Sequence, residues 1–215
     1  MEITYVGQSC FKIKTKETTI VIDPYNPTYT GIKLPKLESD ILLISHSHED
    51  HNYVEGVSGF SHMINSAGES EISGIFITSI NTFHDEERGA TRGKNLIFSI
   101  EFEDMALLHL GDLGHELSDN VIEKLPSIDI LLIPVGGEYT INSKVASKII
   151  SSLEPKLVIP MHYKHNQAKE ISEKLSTVDA FLDEMGGEVE KVDKLKVSKR
   201  DLPEDTKVLV LLPQN

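Results

Sequence analysis

Apolar and polar positions alternate in the first part of the chain and give way to continuous apolar runs in the second. Over residues 3–6, 10–14 and 19–22 the apolar positions recur at period two, with Phe11 and Ile13, then Ile20 and Ile22, on one side. That is the pattern of half-buried strands. Lys16 and Glu17 supply a turn between the second and third of them, and Asp23-Pro24 ends the ladder, since proline has no amide hydrogen to give. Residues 25–35, interrupted by proline and glycine, read as irregular loop. Residues 41–44 are a short apolar run bounded by polar residues, which predicts a buried strand, and residues 52–59 a short helix. The β-branched Ile75, Ile77, Thr78 and Ile80 place a strand over 72–82, and residues 96–101 and 105–110 read as a hairpin pair.

From there the pattern changes. Ser118 and Asp119 are capping types ahead of Val121, Ile122 and Leu125. Residues 128–135 are almost unbroken apolar, the sign of a strand buried on both faces. Val145, Ala146, Ile149 and Ile150 have helical spacing within 142–153, capped by Asn142 or Ser143. Strands at 157–159 and 208–212 and a helix at 167–175 complete the reading. Strands first, then helices alternating with strands, predict two sheets covered by helices.

A length of 215 residues suits one domain spanning 1–215. A net charge of −13, from 34 acidic and 21 basic residues, disfavours nucleic acid and anionic membrane as partners. The apolar runs are too short to cross a bilayer, and no basic-then-apolar leader opens the sequence. Cys10 is the only cysteine, so no internal disulfide forms; a cytoplasmic protein is expected, with Cys10 a buried strand residue. The chain is compatible with a homo-oligomer.

The strand at 41–44 runs into His46, His48, Asp50 and His51, spaced His-x-His-x-Asp-His. Burying three imidazoles and a carboxylate so close together is costly unless a positive charge compensates, and neutral imidazole and carboxylate both ligate zinc, manganese or iron. Three more strand ends carry ligand types: His84, Asp112 between Gly111 and Gly114, and His162. Gathered at one sheet edge they make two metal positions, with His46, His48 and His84 at one, Asp50, His51 and His162 at the other, and Asp112 bridging. Two ions roughly 3.5–4 Å apart share and activate a water. The bridging hydroxide is the expected nucleophile, with Asp50 also orienting it; Asp50 and Asp112 are the catalytic candidates. Asp23, at a strand end, suits either a turn or a hydrogen bond behind a ligand. Arg88, Arg92 and Lys94 lie in a Gly-containing loop and Tyr139 in the loop 136–140; Arg88, Arg92 and Tyr139 are the candidate contacts for an anionic small-molecule substrate. His109, beside Gly111, is expected in the core or behind the ligands. His115 and His165 neighbour ligand loops, where packing roles are as natural as substrate contacts, and His62 has no supporting context.

These residues resemble the metallo-β-lactamase superfamily: the His-x-His-x-Asp-His signature at 46–51, His84, Asp112 in His-Leu-Gly-Asp-Leu-Gly-His, and His162 in Pro-Met-His-Tyr. More narrowly the chain is similar to compact hydrolases related to ascorbate-6-phosphate lactonase, through Ile22-Asp23-Pro24, Arg92-Gly93-Lys94-Asn95 and Pro134 to Thr140. The likeness covers residues 1 to about 163. It implies an α/β fold, a four-layer αββα sandwich, and a centre of two divalent ions, usually zinc, with manganese or iron in some relatives. The expected activity is metal-dependent hydrolysis of a small ester, lactone or phosphoester. The alternatives are a nuclease or phosphodiesterase of the same superfamily and a non-catalytic metal-binding module.

Overall fold

The computed structural model describes residues 1–165, 173–186 and 189–215. The period-two segments pair as an antiparallel meander, β1 (Glu2–Gly7), β2 (Cys10–Lys14) and β3 (Thr19–Ile22). A short helix α1 (Pro27–Thr30) and a two-residue strand β4 (Leu37–Glu38) lead to β5 (Ile41–Leu43), which lies parallel to β3. β6 (Val57–Ser58) pairs with β4, and β7 (His62–Ile64) extends the sheet beyond β5. The chain then builds a second sheet from the antiparallel β8 (Gly68–Ile72), β9 (Ile75–Phe83), β10 (Lys94–Phe102) and β11 (Met105–His109). After α2 (Asp119–Ile122), β12 (Ile130–Pro134), α3 (Ser143–Leu153) and β13 (Leu157–Met161) add parallel neighbours. Helix α4 (Val178–Met185), β14 (Glu190–Val192), β15 (Leu195–Lys196) and β16 (Lys207–Leu211) follow. The orders are β15-β1-β2-β3-β5-β7 in the first sheet and β14-β16-β13-β12-β11-β10-β9-β8 in the second.

The alternation along the first sheet sorts its side chains between two cores. Ile3, Tyr5, Phe11, Ile13, Ile20, Ile22, Ile41 and Leu43 face the second sheet. Val6, Cys10, Val21, Leu42 and Ile44 face outward, onto Tyr25, Ile32, Leu37 and Val57. The α/β fold is thus the expected αββα sandwich with an uneven outer pair of layers. Helices α3 and α4 cover the second sheet through Ala146, Ile149, Ile150 and Phe181, while α1 and its flanking loops cover the first.

Three local expectations are corrected. Residues 52–59 form a single 3-10 turn at Val54–Gly56 and then β6, because Val57 is buried and hydrogen-bonded beside Leu37. Within 25–35, Asn26 caps α1 and Pro27 opens it, where a missing amide hydrogen costs nothing. The strand expected over 72–82 is β9 and starts only at Ile75, because Ile72 ends β8 and the chain turns at Ser73-Gly74 between the two. The helix expected over 167–175 lies mostly outside the described residues.

Topology puts the loops that carry the candidate ligands on one edge. Strands β9, β11, β12 and β13 all run the same way, antiparallel to β10, so those four end on the same side. The parallel pair β3 and β5 ends there too, tied across by the Leu96 N–H donating to the Ser45 carbonyl at 2.9 Å. Among the described residues no helix is long and apolar enough to cross a membrane.

Away from that edge, the buried Asp129 carboxylate takes the Ala106 N–H at 3.0 Å and both its oxygens take Lys199 Nζ at 2.8 Å. Lys199→Ala leaves this carboxylate short of a partner and should cost about 1–3 kcal/mol in urea unfolding. Lys148→Ala, which breaks an exposed pair with Glu116, should cost less than about 1 kcal/mol.

Candidate metal centre

The candidate ligands meet in two groups. His46, His48 and His84 form one, and Asp50, His51, Asp112 and His162 the other; within each group the ligating atoms lie within 4.8 Å of one another. Asp112 Oδ2 sits between the groups, 3.1 Å from His51 Nε2, 3.1 Å from His84 Nε2, 3.3 Å from His162 Nε2 and 4.0 Å from His46 Nε2. Asp50 Oδ2 lies 3.7 Å from His51 Nε2 and 3.8 Å from His162 Nε2. All seven residues are therefore gathered as the spacing suggested.

Each side chain is aimed by an identifiable partner. Asp23, at the end of β3, is fully buried and its Oδ2 accepts from His51 Nδ1 at 3.0 Å. The same carboxylate takes the Ser45 backbone N–H at 2.7 Å and the Ser45 hydroxyl at 2.6 Å. With its proton given to Asp23, the Ser45 oxygen accepts from His46 Nδ1 at 2.9 Å. Both rings are thus fixed as tautomers whose Nε2 lone pairs face the centre. Of the two roles weighed for Asp23, the one behind the ligands is what the geometry shows. Asn95 places the Asp112 loop: its Oδ1 accepts the Asp112 N–H at 2.9 Å while its Nδ2 donates to the Leu110 carbonyl at 2.9 Å and to Thr82 Oγ1 at 2.9 Å. Gly111 has φ +54°, and a Cβ there would strike the Asn95 side chain; one on Gly114 would strike the His84 backbone.

The electrostatics are those of a site short of positive charge. Burial would raise the Asp112 carboxyl, but His162, His51 and His84 hold it well below the usual carboxylate range. Asp50 and Asp23 are also held down against burial, chiefly by His51. Burial would lower His51, yet Asp112, Asp50 and Asp23 push it well above its ordinary value. His46 falls to about 3 through burial and the neighbouring His51 charge. The site fits metal ions on its own terms. The buried His51 Nε2 and His162 Nε2 have no hydrogen-bond partner, although both converge on carboxylate oxygens. Imidazole and carboxylate are the donor set of zinc, manganese and iron.

The remaining candidates divide. Arg92 and Tyr139 line a cleft of about 1110 Å³ together with Tyr29, Lys174 and the ligands His48 and His84. The Arg92 guanidinium lies 5.7 Å from the Tyr139 ring centre and donates to the Glu138 carbonyl at 3.1 Å. Arg88 is exposed and is not among the residues lining that cleft. Asp85, which the sequence did not single out, folds the loop carrying Arg92: it accepts from the backbone of Glu87, Gly89, Thr91 and Arg92 at 2.9, 2.7, 3.0 and 2.6 Å. His109 is buried behind the ligands, donating to the Ser9 carbonyl at 2.9 Å and accepting the Gly111 N–H at 3.0 Å. His115 Nε2 accepts the Phe83 N–H at 3.2 Å, and His165 lies 3.3 Å from Asn215 Nδ2. Cys10 is buried in β2, where burial pushes its thiol well up. Gln8 and Ser9, which touch both site carboxylates, carried no spacing signal.

Two expectations follow. Asp23→Ala strips hydrogen bonds from the buried His51 and Ser45, and should cost the metal-free protein about 3 kcal/mol in chemical unfolding and roughly 10–100-fold in metal affinity. In the metal-free protein the lowered Asp23, Asp50, Asp112 and His46 contribute stability that is complete above their unfolded values and lost as pH falls. The raised His51 and His162 contribute fully below about pH 6.5 and so do not offset this. Its melting temperature should therefore fall steadily as pH is lowered from 6.5 to 3.

Comparison with known proteins agrees with this geometry. Residues 2–162 match the family described as the beta-lactamase superfamily domain. A crystal structure from Thermotoga maritima, assigned as a Zn-dependent hydrolase of the metallo-β-lactamase superfamily, is similar with TM-score 0.81 and 36% identity over 99% of each chain. A metal-dependent hydrolase of Staphylothermus marinus is 30% identical over 75% of this chain and 82% of its own length. One of Methanopyrus kandleri is 27% identical over 76% and 84%. The chain belongs to the metallo-β-lactamase superfamily and is one of its metal-dependent hydrolases.

Proposed function

We propose that this hydrolase cleaves a small anionic ester, lactone or phosphoester at a centre of two divalent ions, most simply zinc. The observation that carries this reading is the position of Asp112 Oδ2, within 3.1 Å of an imidazole from each of the two ligand groups. One carboxylate oxygen in that place suits a bridge. His46, His48 and His84 would hold one ion and Asp50, His51 and His162 the other, with Asp112 shared. Such a pair supplies a water of lowered pKa and polarises the substrate oxygens.

The chain's own residues do the rest. Asp50 borders the cleft and is held ionised by His51 and His162, so it can orient the attacking water as a hydrogen-bond acceptor. Its charge and that of Asp112 offset about two of the four positive charges of two divalent ions, leaving a local surplus that favours an anion in an otherwise acidic protein. Arg92, stacked on Tyr139 and held to the Glu138 carbonyl, faces the cleft as a fixed cation for a phosphate or carboxylate. Tyr139 offers a hydroxyl beside it. Arg88 lies outside the lining residues and drops out of the proposed contacts.

Elemental analysis of protein purified without added metal should find about two zinc, manganese or iron ions per chain, with turnover in a screen of lactones, phosphomonoesters and phosphodiesters. Protein that holds no metal even after reconstitution would sink the reading. Arg92→Ala should raise KM about tenfold for an anionic substrate and less than about twofold for a neutral analogue, with Arg88→Ala unchanged on both. Equal effects of Arg92→Ala on the two substrates would remove the anion contact.

A further inference from the structure

The connection between β1 and β2 is two residues long and lies inside the protein, with Gln8 2% exposed and Ser9 fully buried. Connecting turns normally sit at the surface, where water satisfies their polar groups. Here groups of the metal centre and its supports meet both carbonyls and both side-chain donors, and Gln8 Oε1 has no partner. The Gln8 carbonyl accepts the His162 N–H at 2.8 Å and the Tyr5 hydroxyl at 2.8 Å, and the Ser9 carbonyl accepts from His109 Nε2 at 2.9 Å. The side chains reach both site carboxylates: Gln8 Nε2 donates to Asp50 Oδ2 and Ser9 Oγ to Asp112 Oδ1, each at 3.3 Å. Gln8 adopts φ +52°, a left-handed conformation that a non-glycine residue keeps only when its surroundings enforce it.

The choice of oxygens separates this from packing. Ser9 occupies Oδ1 of Asp112, and Oδ2 is the atom facing His51, His84 and His162. A carboxylate free to turn about its Cβ–Cγ bond would present either oxygen or split them; one fixed at Oδ1 presents a single atom. Gln8 approaches Asp50 on the oxygen nearest His51 and His162, which fixes the direction from which that carboxylate enters the centre. The same turn also anchors the His162 backbone, so one hairpin of the first sheet braces loops that leave the second.

We propose that the Gln8–Ser9 turn is a positioning element of the metal centre, Ser9 selecting the Asp112 oxygen that lies between the two ligand groups and Gln8 directing Asp50. The inference rests on the two-ion reading above.

Cobalt(II) is the probe, titrated into metal-free wild type, Ser9→Ala, Gln8→Leu and Ser9→Thr against a chelating dye, with visible spectra and thermal melts of the metal-free forms. Ser9→Ala and Gln8→Leu should bind cobalt about 10–100-fold more weakly, with altered spectra, while their metal-free melts still show a cooperative fold, and Ser9→Thr should recover most of the affinity. Folded Ser9→Ala and Gln8→Leu with wild-type affinity and spectrum would reduce the turn to packing and overturn the inference. Should Ser9→Ala not fold, Gln8→Leu decides by the same criteria. A wild type holding fewer than two cobalt ions overturns the two-ion reading itself, and this inference with it.

Discussion

The Asp112 carboxylate is 1% exposed and has imidazoles from four different positions around one of its oxygens. A charge so placed is stable only while positive charge and hydrogen-bond donors face it, since desolvation of an isolated carboxylate costs several kcal/mol or more. That requirement organises the surrounding structure. His51 lies between Asp112 and Asp23, Asp23 is satisfied by Ser45, and Ser45 in turn orients His46. The chain of contacts runs from the end of β3 through the end of β5 to the loop after β11. Breaking it at any link leaves a buried polar group without a partner.

Such a cluster needs a rigid frame, and the two sheets provide it. Strands β12 and β13 are buried along their whole length, so the loops that leave them start from fixed points. Three non-glycine residues at this edge, Gln8, Asp23 and His162, have positive φ. Each is held there by hydrogen bonds, most visibly the Gln8 carbonyl, which takes the His162 amide. The sandwich therefore stabilises a geometry that the local sequence alone would not adopt.

The substrate side is built differently. There, Asp85 gathers four backbone amides and so shapes the loop that carries Arg92 to the cleft. Asp85 follows His84 directly, so a single stretch of chain supplies a ligand, the organiser of a loop and, seven residues on, a fixed cation. The end of β9 thus links the candidate ligand His84 to the loop that places Arg92 at the cleft.

Much of this was legible in the residues themselves. Period-two alternation in β1, β2 and β3 and the continuous apolar run of β12 report burial directly, because a strand shows its environment at every second residue. The candidate ligands were legible because metal chemistry accepts few residue types and the His46 to His51 cluster compresses four of them into six positions. What the tertiary structure decided is everything carried by ordinary residues at long separation. Gln8 and Ser9 act on Asp50 and Asp112, 42 and 103 residues away, and Asn95 supports a loop 17 residues on. A glutamine, a serine or an asparagine is equally at home in any turn, so its type carries no signal until a partner is beside it. Arg88 and Arg92 share one loop and one charge; only the fold of that loop, set by Asp85, turns Arg92 toward the cleft and leaves Arg88 in solvent. Local pattern determined the strands and the ligand chemistry, because both are written in short-range residue choice. The tertiary structure determined orientation and support, because these depend on which distant surfaces the two sheets bring into contact.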